Sequence, residues 1–222
     1  MAANKQSEPL FSKKNMRLVK DPLTDNNPVT VQVLGICSAL AITAELKASL
    51  IMAISVVFVL GAGNVIISLL RNIIPSSIRI IVQLVVVAAL VIIVDLTLKA
   101  YMPDLAKKLS VFIGLIITNC IIMGRFEAFA LANKPWESFL DGIGNAAGYG
   151  LILVIVGFFR ELLGSGKLLG FEVLGNPVEK TGLYAIGYEN NGFMLLAPMA
   201  LITLGLIIGF QRSRNKSLIE TN

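Results

Sequence analysis

The feature that most constrains this chain is a series of six long apolar segments, separated by short stretches that hold most of the charged residues. Each segment is close to the ~20 residues that an α-helix needs to cross a bilayer. Membrane-spanning β-strands would be shorter and would alternate apolar with polar residues, whereas these segments are continuously apolar. We therefore predict an all-α integral membrane protein with six transmembrane helices, at residues 28–46, 50–70, 78–98, 109–124, 142–159 and 192–210.

The composition excludes most other classes of protein. Of the 222 residues, 55% are hydrophobic and 15% are charged, while soluble domains average about 25% charged residues. The chain has no His and two Cys, which excludes a self-contained His/Cys zinc site. The net charge of +5 does not indicate a nucleic-acid partner, because the basic residues flank the apolar segments, where they orient helices in the lipid membrane.

The distribution of Lys and Arg predicts the orientation in the membrane. With six spans, the side that holds both termini carries 12 of these residues and the other side carries 7. The positive-inside rule then places both termini in the cytoplasm and the loop 164–191 outside. We divide the chain into a cytoplasmic N-terminal tail (1–27), a single membrane domain (28–211) and a cytoplasmic C-terminal tail (212–222). The N-terminal tail is either solvated or a docking segment for a partner.

Four landmarks recur in the same order in two halves of the membrane domain, about 28–100 and 109–211. They are a cysteine, a glutamate, an asparagine and an arginine, at Cys37, Glu45, Asn64 and Arg71 and again at Cys120, Glu127, Asn145 and Arg160. Each half has three predicted helices. Because three is odd, the second half enters the membrane from the opposite face, which predicts a 3+3 inverted repeat of the kind found in many transporters.

The first predicted helix of each half is the weakest span. The one in the first half contains Pro28, Gln32, Gly35 and Ser38. The one in the second half has only a short uncharged run between Lys108 and Arg125. We expect both helices to be short or interrupted, and matching interruptions indicate a site near the bilayer midplane. Counting about 1.5 Å per residue from the glutamates places both cysteines near the centre of a ~30 Å hydrocarbon layer.

Three interpretations of the pair Cys37 and Cys120 remain open at this point. Single cysteines are often buried as small hydrophobic residues. A disulfide inside the bilayer is a second interpretation. The third is thiolate ligation of iron. A [2Fe–2S] cluster needs four thiolates and this chain has two, so a partner subunit with its own central pair would have to complete the set.

Several long segments carry a resemblance to a known family, including VLGICSALAIT, LSVFIGLIITNCIIMGR and GFFRELLGSGKL. Over about residues 25–211 the chain resembles the D-type membrane subunits of bacterial Na⁺-translocating NADH:quinone reductases. A sister family, the E-type subunits of Rnf ferredoxin:NAD⁺ complexes, shares the two cysteines and is the alternative. A small secondary transporter, with midplane residues Gly35, Cys37 and Asn119, is a rival from another class.

The resemblance implies a role in electron transfer within a sodium-pumping translocase of the bacterial inner membrane. In that family, D-type and E-type subunits pair and share one intramembrane [2Fe–2S] cluster, and Cys37 and Cys120 occupy the ligand positions here. FAD, FMN and riboflavin, together with NADH oxidation, belong to other subunits. No catalytic residue is expected in this chain.

Two carboxylates are candidates for the path of Na⁺. Asp95 follows 15 uncharged residues, and acidic residues inside membrane helices often mark ion paths. Asp141 resembles a family residue implicated in Na⁺ passage. The alternative is that both are ordinary charges at helix ends, with Asp95 paired to Lys99. The GxxxG motif from Gly144 to Gly148 is typical of close helix packing against a partner.

Overall fold

The computed structural model describes residues 13–23, 26–169, 171–172 and 192–214. Within these residues the α-helices are α1 Lys13–Lys20, α2 Ile36–Ile42, α3 Leu46–Leu70, α4 Arg79–Tyr101, α5 Pro103–Ile117, α6 Cys120–Arg125, α7 Pro135–Ser165 and α8 Ala197–Arg214. A π-helical turn, Phe126–Ala130, continues α6, and short 3₁₀ turns lie at Asp21–Leu23, Ser76–Ile78 and Gly192–Leu195. Two-residue strands, β1 Lys167–Leu168 and β2 Phe171–Glu172, pair antiparallel after α7.

The helical membrane architecture is confirmed, but the predicted number of spans is not. Four helical stretches are long and apolar enough to cross a membrane: Leu46–Leu70, Ser76–Tyr101, Phe112–Ala130 and Pro135–Ser165. Ala197–Ser213 is a shorter apolar helix. The first predicted span, residues 28–46, contains only the seven-residue α2 followed by the start of α3, because polar residues and a left-handed backbone interrupt it. Most of the predicted outer loop, 170 and 173–191, lies outside the described residues.

The helices α3 and α7 form the centre of the fold and run antiparallel. Contacts pair Ser49 with Gly157, Ala53 with Gly150, and Gly61 with Phe139, so that positions rising along α3 meet positions falling along α7. Small residues at these contacts let the two backbones approach closely, which is a common way for helices to pack in membranes.

The described residues of the predicted N-terminal tail, 13–23 and 26–27, include positions that pack against α7. A Cβ at Gly144 would lie 2.7 Å from the Leu18 carbonyl oxygen, and one at Gly148 would lie 2.5 Å from the Pro22 carbonyl oxygen. The buried Asn27 side chain donates a hydrogen bond of 3.1 Å to the Gly148 carbonyl. The folded unit therefore includes residues before the boundary predicted at 28. In the described structure, the packing partner of the GxxxG motif is the chain's own N-terminal segment.

Both segments expected to be short or interrupted helices are broken in the structure. Before α2, Val33 and Gly35 have positive φ angles of 59° and 78°. Gly35 also has no space for a side chain, because a Cβ there would lie 2.9 Å from the Tyr149 ring. In the second segment, α5 ends at Ile117 and the extended Asn119 caps α6 by accepting a hydrogen bond from the Ile121 amide. The helix that follows each break has a cysteine in its first turn.

Candidate functional site

The two cysteines occupy equivalent places at the start of a helix that follows a break. Cys37 is the second residue of α2 and Cys120 is the first residue of α6. Both thiols are free and both residues are exposed in this chain. Cysteine is among the residue types most often fully buried in proteins. Exposure of both residues therefore disfavours a packing role within the chain, and the free thiols disfavour a disulfide.

A buried polar cluster connects the two breaks. Ser38 follows Cys37, and its hydroxyl lies 2.6 Å from the Tyr149 hydroxyl. Asn119 precedes Cys120 and donates hydrogen bonds of 3.3 Å to Ser38 and 3.4 Å to Tyr149. The three side chains come from separate parts of the chain and are almost completely buried. We call this set, Ser38, Asn119 and Tyr149, the hydroxyl–amide cluster.

One assignment of donors and acceptors gives every side-chain polar atom of the hydroxyl–amide cluster a hydrogen-bond partner. Ser38 donates to the Gly35 carbonyl at 2.9 Å, so the Tyr149 hydroxyl donates to Ser38 and accepts from Asn119. The side-chain Oδ1 of Asn119 accepts the hydrogen bond from the Ile121 amide that caps α6. Fully satisfied buried networks fix one arrangement of their members, and the cluster thereby fixes the relative positions of the two cysteine-bearing segments.

Sequence reasoning identified the cysteines, noted Ser38 only as a polar residue that weakens the first predicted span, and missed Tyr149. A usable signal was present, since a tyrosine in an otherwise apolar helix generally needs a hydrogen-bond partner for its hydroxyl when it is buried. The sequence could not identify that partner, because Ser38 and Tyr149 are 111 residues apart. Asn119 was considered only as a transporter residue.

Arg160 of α7 fixes the other end of α2. It is 1% exposed and donates to the Leu40 carbonyl at 3.4 Å and to the Thr43 hydroxyl at 2.5 Å. It also donates to the Leu195 carbonyl at 2.7 Å. The last carbonyls of a helix lack partners within the helix, and Arg160 supplies donors to this end of α2. Tyr149 and Arg160 therefore hold α2 at both ends.

Asp141 lies in a buried ion pair, not at an exposed helix end. The Arg125 guanidinium binds both carboxylate oxygens, with the Nε–Oδ2 distance at 2.9 Å. The Asn145 amide donates to the same carboxylate at 3.0 Å. The side chain of Asp141 is 3% exposed and that of Arg125 is 15% exposed, and the guanidinium also lies over the Phe129 ring.

Asp95 has a different environment. The Lys99 ammonium lies 2.6 Å from its Oδ2, as the i,i+4 spacing predicts, and the two side chains are 23% and 55% exposed for Asp95 and Lys99. The other oxygen, Oδ1, has no hydrogen-bond partner. The structure thus places the two aspartates on different helices with different ion-pair partners.

The described residues define a multi-pass helical membrane protein whose two exposed cysteines follow connected helix breaks. No group of three or more His, Cys, Asp or Glu residues within the described part of the chain could hold a metal ion. A family model described as "Rnf-Nqr subunit, membrane protein" matches residues 15–208. The chain belongs to this Rnf-Nqr family.

Two curated relatives illustrate the similarity. A protein of Yersinia enterocolitica, named as the D-type subunit of a Na(+)-translocating NADH-quinone reductase, is 52% identical over 94% of this chain and 98% of its own length. A protein of Proteus mirabilis with the same name is 51% identical over the same shares. The similarity extends over nearly the whole of each protein.

Proposed function

We propose that this chain is the membrane electron-transfer subunit of a Na⁺-translocating NADH:quinone reductase, and that Cys37 and Cys120 provide two thiolate ligands of a shared [2Fe–2S] cluster. A homologous E-type subunit provides the other two. NADH oxidation and the flavins FAD, FMN and riboflavin belong to further subunits. This chain relays electrons between flavin centres and has no catalytic residues of its own. The names of its relatives support membership in such a complex.

The observation that carries the proposal is the exposure of both cysteines beside a buried cluster that ties their segments together. Thiols that served only to fill the core would be buried. Exposed thiols at a fixed mutual position are accessible to a second subunit.

The donor set fits half of a [2Fe–2S] centre. Such a centre takes four thiolates and carries one electron at a time when it is bound. Within the described residues no other His or Cys exists to complete the set, which is why the proposal needs a partner chain. The contribution of this chain is positional: the hydroxyl–amide cluster and Arg160 hold the segment of Cys37, and the Asn119 cap holds Cys120.

We place the chain in the bacterial inner membrane as a six-span inverted repeat with both termini in the cytoplasm. Matching helix breaks before each cysteine support the repeat. The antiparallel packing of α3 against α7 supports it as well, since equivalent helices of an inverted repeat run in opposite directions. The short α2 and α8 then complete the two halves.

Asp141 and Asp95 are the carboxylates that we assign to the sodium path. Asp141 is buried with Arg125 beside the central α3–α7 contact. Asp95 has one oxygen without a hydrogen-bond partner in the structure, and an anionic oxygen is a ligand that a hard cation prefers.

The test is replacement of each cysteine, Cys37→Ala and Cys120→Ala, in the complete complex. Each change removes little volume, so a cysteine used for packing would leave assembly and turnover nearly intact. We expect each variant to lose the iron centre, measured by iron content and electron paramagnetic resonance, and to lose quinone-coupled turnover. Ser55→Ala, a buried serine whose hydroxyl bonds only within α3, is the matched control.

Either single variant with the iron content and activity of the parent complex would overturn the assignment. Iron-free parent protein that binds a small solute would favour the transporter instead. The Rnf alternative differs in its electron circuit, and the relatives' names favour the quinone reductase.

A further inference from the structure

Arg71 and Arg160 are corresponding landmarks of the two halves, and each of them binds the opposite half of the chain. Arg160 lies on α7, in the second half, and donates to the Leu40 carbonyl at 3.4 Å and to the Thr43 hydroxyl at 2.5 Å in the first half. Arg71 directly follows α3, in the first half, and donates to the Asn133 carbonyl in the second half at 2.7 Å. The two arginines therefore make matching contacts in opposite directions.

Both contacts lie where a cysteine-bearing helix ends. The helix of Cys37, α2, is followed by residues 43–45 and then by α3. The helix of Cys120, α6 with its π-helical turn, is followed by residues 131–134 and then by α7. We call these two connections, 43–45 and 131–134, the cysteine-helix turns. A cation is favourable at the end of a helix, where the last carbonyls lack partners within the helix.

The first cysteine-helix turn is held from both sides. The buried Thr43 hydroxyl accepts from Arg160 and donates to the Ala39 carbonyl at 2.6 Å, which closes the end of α2. The carboxylate of Glu161, the residue after Arg160, accepts from the Leu46 amide at 2.5 Å, at the start of α3. A cation thus faces the end of one helix and an anion faces the start of the next, as the helix dipoles favour.

The second cysteine-helix turn is held through Asn133. Its carbonyl accepts from Arg71 and also from the Ser68 hydroxyl, each at 2.7 Å. Its side-chain amide and its backbone amide both donate to the Phe129 carbonyl at 3.1 Å. The residue that binds Arg71 therefore also closes the π-helical turn that continues the helix of Cys120.

Contacts at the end of a cysteine-bearing helix limit its tilt. The seven residues of α2 are too few for a helix that is stable by itself, so its position depends on what it contacts. The hydroxyl–amide cluster fixes the start of each helix, and a helix fixed only at its start can tilt about that point. An arginine at the other end removes this freedom. Ligands of a bound group need positions fixed to about 0.5 Å.

We propose that Arg160 and Arg71 are positioning residues for the two thiols: Arg160 sets the position of Cys37 and Arg71 that of Cys120, each from the opposite half of the chain. The inference rests on the proposed function for the use of the thiols as ligands. It adds a second means of positioning, at the far ends of the cysteine-bearing helices.

The test compares two variants by the reactivity of each cysteine. Arg160→Lys keeps the positive charge but loses the planar group that donates in several directions, and Arg71→Met removes the donors of the other arginine. The complete complex is stripped of iron with a chelator and a reductant and treated with N-ethylmaleimide. Mass spectrometry of the peptides then gives the alkylation rates of Cys37 and Cys120 separately.

We expect Arg160→Lys to raise the alkylation rate of Cys37 about fivefold, the effect of losing about one hydrogen bond, and to leave Cys120 within about twofold of the parent. Arg71→Met should show the reverse pattern. Arg212→Met, at an exposed arginine in the last turn of α8, is the control and should change neither rate. If Arg160→Lys fails to assemble, Arg71→Met decides, because Arg71 is the less buried of the two arginines.

Unchanged rates, or equal increases at both cysteines in each variant, would overturn the proposal, because a residue that only stabilises the fold would not act on one thiol. The iron-loaded variants provide a second measurement, since positioning predicts altered g values in electron paramagnetic resonance. The parent complex separates the two proposals: iron missing there rejects the electron-transfer role, while the ratio of the two alkylation rates still tests the positioning.

Discussion

At the scale of single residues, burial separates functional groups that look similar in the sequence. Cys37 and Cys120 are exposed, although cysteine is usually buried. Asp141 and Arg125 form a buried pair, whereas Asp95 and Lys99 form a more exposed one. Breaking a buried pair leaves an uncompensated charge at a cost of about 3–5 kcal/mol, while exposed pairs contribute about 0–1 kcal/mol. Equivalent substitutions at the two aspartates therefore have different expected consequences.

Removal of the Tyr149 hydroxyl tests the hydroxyl–amide cluster. Tyr149→Phe leaves Ser38 and Asn119 with one partner fewer in a buried site, and we expect the complex to lose about 1–3 kcal/mol of stability and part of its iron. Thermal unfolding and iron content measure these effects. Tyr101→Phe is the matched control, because Tyr101 is 83% exposed. Equal effects of the two changes would mean that the cluster does not position the cysteines.

The role of Asp95 can be separated from its ion pair by two variants. Asp95→Asn keeps the shape but removes the negative charge, and we expect a higher Na⁺ requirement for turnover with an intact iron spectrum. Lys99→Met breaks the same pair but keeps the carboxylate. If the carboxylate serves the ion path, only Asp95→Asn shifts the Na⁺ titration. An unchanged titration in Asp95→Asn removes this residue from the path.

At the scale of secondary-structure elements, the geometry of the candidate site depends on where the helices end and on how closely they approach one another. The breaks before α2 and α6 expose the first turns that carry the cysteines. Glycines on α7 bring α3 and the N-terminal segment against it. The break before α2 and the close approach of α3 to α7 both depend on glycine. Gly35 adopts a left-handed backbone conformation, and Gly142 has no side chain that would separate the helices.

Gly142→Ala tests the close approach of α3 and α7. The added Cβ would lie 2.8 Å from the Asn64 amide nitrogen and 3.0 Å from the Leu60 carbonyl oxygen, so the helices must separate. We expect a loss of about 1–3 kcal/mol in thermal stability. Gly205→Ala in α8 is the control, since nothing lies within 4 Å of its added Cβ and alanine is the better helix former by about 1 kcal/mol. Comparable stability of the two variants would contradict the packing described for Gly142.

At the scale of the whole molecule, apolar surface remains for lipid and for other subunits. Large apolar side chains on α4 are more than half exposed, among them Ile80, Ile81, Val85 and Ile92. A helix that is apolar around its whole circumference is typical of membrane proteins. Of the candidate spans, Ser76–Tyr101 is the least buried within the chain and Pro135–Ser165 the most buried, which places α7 at the centre and α4 at the periphery.

The orientation of the molecule is tested by reporter fusions. The excess of Lys and Arg on the side of the termini predicts that a fusion at Asn222 is cytoplasmic and one at Gly175 is periplasmic. We expect fluorescence from a green fluorescent protein at Asn222 and enzyme activity from an alkaline phosphatase at Gly175. A periplasmic C-terminus would reverse the orientation without affecting the contacts within the fold.

Much of the architecture could be predicted from the sequence, because the signals are local. Continuous apolar length identified the membrane helices, and polar or conformationally special residues such as Gly35 identified the interrupted segments. The two cysteines were singled out by their positions within those segments. The predicted count of six spans is not confirmed, since four helical stretches of the described structure are long and apolar enough to cross a membrane.

Which polar side chains form hydrogen bonds with one another is determined by the tertiary structure and could not be read from the sequence. Ser38 and Tyr149, Arg125 and Asp141, and Asn64 and Ser138 are brought together by helix packing and not by spacing along one helix. The physical reason lies in the helices themselves. Large apolar side chains lie on all sides of α3 and α4, so hydrophobic patterning alone does not specify the rotation of each helix about its axis. That rotation is set by glycine contacts and buried hydrogen bonds, which exist only once the helices are packed.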